Sequence, residues 1–326
     1  MAETALAIRA EGLRKTFGKH HKTALDGLDL AVPRGTVCGL LGPNGAGKTT
    51  AVRILTTLIR ADGGRAEVAG VDVRRAPRAV RRRIGLTGQH PAVDEILTAR
   101  QNLRMFGRLF HLDARRADAR AEQLLAEFSL TEAADRPAKT YSGGMRRRLD
   151  LAASMVLAPQ VLFLDEPTTG LDPRGRGEVW DAVRRLTAAG TTVLLTTHYL
   201  DEADQLSDRI VVMNNGRKVT EDTPAALKRA FGGDRLEVVV ATAADLPAAA
   251  EAVARVSADG TAPEPDAERL RVTAPVTDGV LALTDVARSL QDRGVTVTDI
   301  GLRRPTLDEV YLRLTDTTAH EEPTPA

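Results

Sequence analysis

The sequence predicts an α/β domain of about 230 residues with a mostly helical insert, followed by a small α+β unit. Short, wholly apolar runs alternate with longer helical patterns in the first part. One of these runs, residues 36–41, leads directly into a glycine-rich loop. Near residues 231–234 the pattern changes to alternating strands and an alanine-rich helix.

In chain order, residues 36–41 read as a buried strand, 42–50 as the loop, and a helix follows through Leu58. A helical insert is expected over about 97–155; its arginine-rich stretch at 113–120 has acidic residues interspersed and reads as a solvated helix face. Residues 160–165 and 191–196 are two further buried strands. The second unit reads as strand 235–241, helix 244–256, loop 257–266 containing Pro263 and Pro265, strand 270–273, helix 278–293, strand 295–302 and a last helix at 306–314. The expected domains are 1–232 and 233–315, with a frayed polar tail at 316–326.

Composition narrows the function classes. The 326 residues are 43% hydrophobic and 27% charged, which excludes wholesale disorder. Forty-five basic against 44 acidic residues give a net charge of +1, so bulk-charge binding to nucleic acid is not expected. The single cysteine, Cys38, excludes an internal disulfide framework and reads as a core residue. The amino terminus lacks an apolar signal core, and the longest apolar region, 151–164, is broken by Pro159 and Gln160. The expectation is a soluble cytoplasmic protein whose membrane role, if any, requires a partner.

The chemistry begins at Gly42-Pro43-Asn44-Gly45-Ala46-Gly47-Lys48-Thr49-Thr50, a match to the phosphate-loop pattern in its strand–loop–helix context. Glycines let successive N–H groups turn inward on a phosphate, and the following helix adds its positive end. Lys48 would reach the β- and γ-phosphates and the Thr49 hydroxyl would ligate Mg²⁺. Asp165, closing an apolar strand, is placed to hold the same metal, and Glu166 to polarise a water for in-line attack. Without the loop, both acids would read as a solvated strand end.

Four further segments complete a pattern: Gln89 in Gly85-Leu86-Thr87-Gly88-Gln89, Tyr141-Ser142-Gly143-Gly144-Met145, Gly170-Leu171-Asp172, and His198 after its strand. With Phe17, this set resembles the ATP-binding cassette (ABC) ATPases, a phosphate-loop NTPase family, over residues 6–223. The resemblance implies that Phe17 stacks on adenine, although a core Phe is the plain alternative. It implies that Gln89 contacts Mg²⁺ and the attacking water, and that His198 stands beside the γ-phosphate. It further implies that Ser142, Gly143 and Gly144 serve the nucleotide of a second copy, with Asp172 in the loop crossing the dimer interface. Met145 departs from the amide the family more often carries there.

A narrower resemblance is to the daunorubicin/doxorubicin-resistance exporters of actinomycetes. It rests on Lys139-Thr-Tyr-Ser-Gly-Gly-Met-Arg-Arg-Arg-Leu-Asp150, on the segments at 164–173 and 195–206, and on the carboxy-terminal stretch at 306–315. It implies an ATPase subunit that dimerises around two ATP and drives a separate permease from the cytoplasmic membrane face. Residues 89–102, with Val93 and Glu95 on the way out, would then face the permease. The alternatives are another ABC exporter or importer ATPase, a non-transport ABC ATPase, or a binding-only module; an intact Glu166 argues against the last.

Overall fold

The computed structural model of the chain describes residues 5–18, 22–231 and 234–303. The chain divides into two compact units, Met1–Thr223 and Pro224–Ala326.

The first unit is built on a six-stranded sheet. Its strands are β3 (Val37–Leu41), β6 (Ile84–Thr87), β7 (Val161–Asp165), β8 (Thr192–Thr197), β9 (Arg209–Asn214) and β10 (Arg217–Asp222), in the order β10-β9-β3-β8-β7-β6. All neighbours pair in parallel except β9 and β10. Strands β3, β7 and β8 are buried along their whole length, which is why they read as unbroken apolar runs. Cys38 lies in this core, and burial pushes its thiol up to about 12.

Parallel registration brings Thr87 beside Leu164, Asp165 beside Thr196, and Leu41 beside Thr197. The segments that follow these strands therefore leave the sheet at one edge. They carry Gln89, Gly42 with its loop, Glu166 and His198.

A second, antiparallel sheet was not anticipated by the sequence pattern. It contains β1 (Leu6–Phe17), β2 (Lys22–Pro33), β4 (Gly63–Val68) and β5 (Val71–Asp72), in the order β2-β1-β4-β5. It packs on helix α1 (Lys48–Leu55) through Leu28, Leu30, Ala51 and Ile54 among others. Helix α1 stops at Leu55 rather than Leu58, because Thr57 takes a left-handed φ of 65°.

Between β6 and β7 lie α3 (Ala99–Leu109), α4 (Ala114–Glu127) and α5 (Gly143–Ser154), packed through Leu103, Leu124, Leu125 and Leu149. Thr98 and Gln101 form a reciprocal capping box at the start of α3. The expected solvated face of α4 holds for Arg115 and Arg116. Arg120 instead turns inward, donating to the carbonyls of Met155 (2.6 Å) and Val156 (3.2 Å). Asn102 and Val93 are also buried, contrary to an outward-facing segment at 89–102. The Asn102 side chain accepts from the Asp94 N–H and donates to the carbonyls of Asp94 and Thr98, so it shapes the loop from within. The remaining helices of this unit are α2 (Pro77–Arg81), α6 (Pro173–Ala188) and α7 (Leu200–Leu206).

The second unit opens with α8 (Pro224–Phe231) and continues β11 (Arg235–Val240), α9 (Leu246–Ala254), β12 (Glu264–Asp266), β13 (Arg271–Pro275), α10 (Gly279–Asp292) and β14 (Val297–Arg303). The sheet is antiparallel in the order β12-β13-β11-β14, the βαββαβ arrangement of ferredoxin-like folds. Leu236, Val238 and Val240 alternate inward to meet Ala249, Val253, Val286 and Leu290. The expected loop at 257–266 ends in a strand: Pro265 lies opposite Val272 on the sheet edge, where a missing N–H costs no ladder bond. The helix expected at 306–314 and the tail at 316–326 lie outside the described residues.

Candidate nucleotide site

The loop after β3 can turn because two of its positions exclude side chains. Gly47 has φ 101°, and a Cβ there would stand 2.4 Å from the Ala24 carbonyl; at Gly42 it would stand 2.4 Å from that of Met213. Lys48, 4% exposed, folds back and donates to the carbonyls of Gly42 (2.6 Å) and Pro43 (3.1 Å). Burial lowers its pKa, opposed by the nearby carboxylates of Glu166 and Asp165.

Phe17, the segment from Asn44 to Thr50, Gln89 and Glu166 line one cavity of about 330 Å³. Gly42 and Pro43 stand behind it, as acceptors for Lys48. Phe17 is 42% exposed and not a core residue, with the Lys15 ammonium 5.4 Å above its ring centre. The same cavity takes in Lys22, Thr23 and Ala24 from β2, which belong to no motif and had no sequence signal.

Asp165 accepts from the Thr196 hydroxyl at 2.6 Å and from the Thr49 hydroxyl at 3.1 Å. The next residue, Glu166, has a left-handed φ of 51°, a conformation costing about 1 kcal/mol or more for a side chain with a Cβ. Its N–H is held by the Thr196 carbonyl and hydroxyl, each at 3.1 Å, and its carboxylate accepts from Thr169 at 3.3 Å. The turn lets two consecutive acids serve one site: Asp165 behind Thr49, Glu166 in the cavity wall. His198 Nδ1 is 3.4 Å from Glu166 without hydrogen-bond geometry, and its ring leans on Tyr199, centroids 4.2 Å apart.

Ser142, Gly143, Gly144 and Asp172 line a different cavity, of about 560 Å³, with Met145 and Arg148. Ser142 caps α5 by accepting from the Met145 N–H at 3.2 Å, and Asp172 caps α6 by accepting from Gly175 at 2.8 Å. No residue lines both this cavity and the one beside Lys48. The Met145 side chain packs against the core of the helical insert.

Further residues behind the site escaped the sequence reading: Thr196, which holds both Asp165 and Glu166; Arg147; and Glu202, fully buried and accepting from the Trp180 indole at 3.2 Å. A polar residue near the end of an otherwise apolar strand was the signal for Thr196. The i,i+3 spacing from Asp150 was the signal for Arg147.

Residues 25–169 match the family described as ABC transporter. The chain is 68% identical over 309 residues, 95% of each chain, to the daunorubicin resistance ATP-binding protein DrrA2 of Streptomyces coeruleorubidus. It is 49% identical to the daunorubicin/doxorubicin resistance ATP-binding protein DrrA of Streptomyces peucetius, over 98% of this chain and 95% of that one. Among solved structures it resembles cbiO1 from Clostridium perfringens, part of the ABC transporter complex cbiONQ. That likeness has a TM-score of 0.64 and 26% identity, covering 68% of this chain and 90% of the other. An ABC transporter cassette in its ADP conformation gives a TM-score of 0.61 at 27% identity, covering 68% and 92%. The chain therefore belongs to the ATP-binding cassette transporter ATPases, among the daunorubicin/doxorubicin-resistance ATP-binding proteins.

Proposed function

We propose that two copies of this ATPase close around two ATP molecules and drive a separate membrane permease that exports a daunorubicin- or doxorubicin-like drug. The observation that carries the dimer is the division of the phosphate-handling groups. One chain presents Lys48 and its loop in one cavity and the helix opening at Ser142 in another. A second copy is needed to bring both to one γ-phosphate. Asp172, beside the Ser142 helix, belongs to the contact between copies. The drug class rests on the resemblance to named resistance proteins over nearly the whole chain.

In each composite site Phe17 stacks on the adenine while the loop N–H groups and Lys48 neutralise the phosphates. Glu166 orients and polarises the attacking water, Gln89 contacts that water, and His198 keeps the γ-phosphate and Glu166 in register. Ser142, Gly143 and Gly144 of the other copy supply N–H groups and a helix dipole to the charge that develops on the transferring phosphoryl. Thr49 and Asp165 suit Mg²⁺: both are oxygen donors, 3.1 Å apart, in a partly dry corner. Gln89 completes the proposed metal set. Among the described residues no group of three or more His, Cys, Asp or Glu side chains could hold a metal ion. When bound there, Mg²⁺ would supply positive charge against the phosphates.

No helix among the described residues is long and apolar enough to cross a membrane. In this proposal the permease is a separate chain, and the subunit docks at its cytoplasmic face. The side of a cavity of about 410 Å³ formed by Pro91, Glu95 and Arg146 is the contact we assign to it. Ile96, 78% exposed, extends that surface. The second unit contains none of the assigned phosphate ligands, and its role is assembly or regulation of the cassette. The test is daunorubicin uptake into inverted vesicles from cells co-expressing the chain and its permease. Uptake should require ATP and vanish with Glu166→Gln. ATP-independent uptake, or none for any anthracycline, would reject the export reading.

A further inference from the structure

We propose that Arg147, paired with Asp150, is a positioning residue that locks the Gln89 loop and the Glu166 turn to the helix opening at Ser142. The proposal rests on the roles given above to Gln89 and Glu166.

Arg147 and Asp150 lie one turn apart on the inward face of α5, each 4% exposed, with Nη1 and Oδ2 3.4 Å apart. The guanidinium does little for its own helix. Its Nε donates to the Pro167 carbonyl at 2.7 Å, Nη1 to that of Gly88 at 2.6 Å, and Nη2 to that of Asp165 at 3.5 Å. The carbonyls of Asp165 and Pro167 flank Glu166, and that of Gly88 precedes Gln89. Asp150 completes the grip by accepting from the Ala92 N–H at 2.8 Å. The loop from Gly88 to Ala92 is thus held at both ends by one pair of side chains, and the Glu166 turn by the same guanidinium.

A buried ion pair is a poor device for stability alone, because apolar side chains of similar size often serve as well. A planar fork with fixed donor directions is suited to holding three carbonyls in a set geometry, which a flexible ammonium is not. The consequence is directional. Helix α5 presents Ser142 to the ATP of the other copy, whereas Gln89 and Glu166 act on the ATP of their own. Arg147 makes these one rigid piece, so phosphate capture at one site is felt by the catalytic groups of the other.

The test compares steady-state hydrolysis by the full-length protein with its permease for wild type, Arg147→Met, Arg147→Lys, Asp150→Asn and Glu166→Gln, with thermal melting to verify folding. Misplacing reacting groups by about 1 Å costs on the order of 100-fold in rate, so kcat of Arg147→Met should fall by about that factor while KM for ATP holds. The Hill coefficient for ATP should fall towards 1. Arg147→Lys should recover part of the rate, and Asp150→Asn, which keeps an acceptor for Ala92, should lose less than Arg147→Met. A folded Arg147→Met with wild-type kcat and Hill coefficient would overturn the proposal. If that variant does not fold, wild-type kcat in Arg147→Lys would overturn it. The Glu166→Gln control separates the two levels. Normal turnover there would reject the catalytic assignment itself, whereas an inactive Glu166→Gln beside an unimpaired Arg147→Met would reject only the positioning role.

Discussion

Replacing Lys48 by alanine removes a cation whose reach is visible in the loop. Its ammonium bonds the carbonyls of Gly42 and Pro43 at 2.6 and 3.1 Å, almost out of contact with water. When ATP enters, these bonds are exchanged for bonds to phosphate oxygens, which are charge-assisted and worth about 1.5–3 kcal/mol each. Two such bonds amount to about 3–6 kcal/mol as an upper bound, because the two carbonyl bonds given up on binding offset part of it. The loss in affinity should then lie at about 10²- to 10⁴-fold. Equilibrium titration with a fluorescent ATP analogue in the presence of Mg²⁺ measures it directly, with thermal melting to show that the loop has not collapsed. An unchanged dissociation constant in a folded variant would refute the phosphate-loop assignment.

Ser142→Arg should leave nucleotide binding to the single chain near wild type while hydrolysis fails, since Ser142 lies outside the Lys48 cavity. Mixing it with Lys48→Ala creates heterodimers in which one composite site keeps both of its parts, so partial ATP occlusion should return; none in dimers known to form would reject sharing between copies. Burial raises the Glu202 carboxyl above the ordinary glutamate range, against opposing contributions from Thr197, Thr168 and Trp180. The folded chain therefore binds this proton more tightly than the unfolded one, and the resulting stability is complete below the unfolded value and lost as pH rises through the raised folded value. Melting of Glu202→Gln relative to wild type should improve as pH rises from about 4 and level off above the raised folded value. A difference that shrinks over this range would mean that Glu202 is charged and well paired.

The shared edge that carries the candidate site was legible in the sequence for a physical reason. Parallel buried strands read as unbroken apolar runs, and whatever follows each run must emerge at the same edge, so Lys48, Glu166 and His198 could be grouped without coordinates. The antiparallel sheet was less legible. Strand β1 mixes Arg9, Glu11, Arg14 and Lys15 among its apolar residues, and its repeated register shifts interrupt the two-residue period. Pro265 suggested a loop because the sequence does not say which strands are edges. Val93 and Asn102 read as surface on the path from Gln89, but Val93 is buried in a core with helices from later in the chain, and Asn102 turns inward to bond the Asp94 carbonyl. Arg147 shows the same limit more sharply: its spacing to Asp150 was available, whereas the carbonyls it holds lie 20 and 59 residues away.

Whether hydrolysis belongs to a pair of chains is decided by the oligomeric state of Glu166→Gln. An amide at this position cannot accept the water proton, so ATP binds without being consumed and the closed state accumulates. Light scattering combined with nucleotide quantification, run with ATP and Mg²⁺ and again with ADP, should give a dimer holding two ATP in the first case and a monomer in the second. A Glu166→Gln protein that binds ATP tightly yet remains monomeric, with one nucleotide per chain, would rule out hydrolysis by a pair of chains.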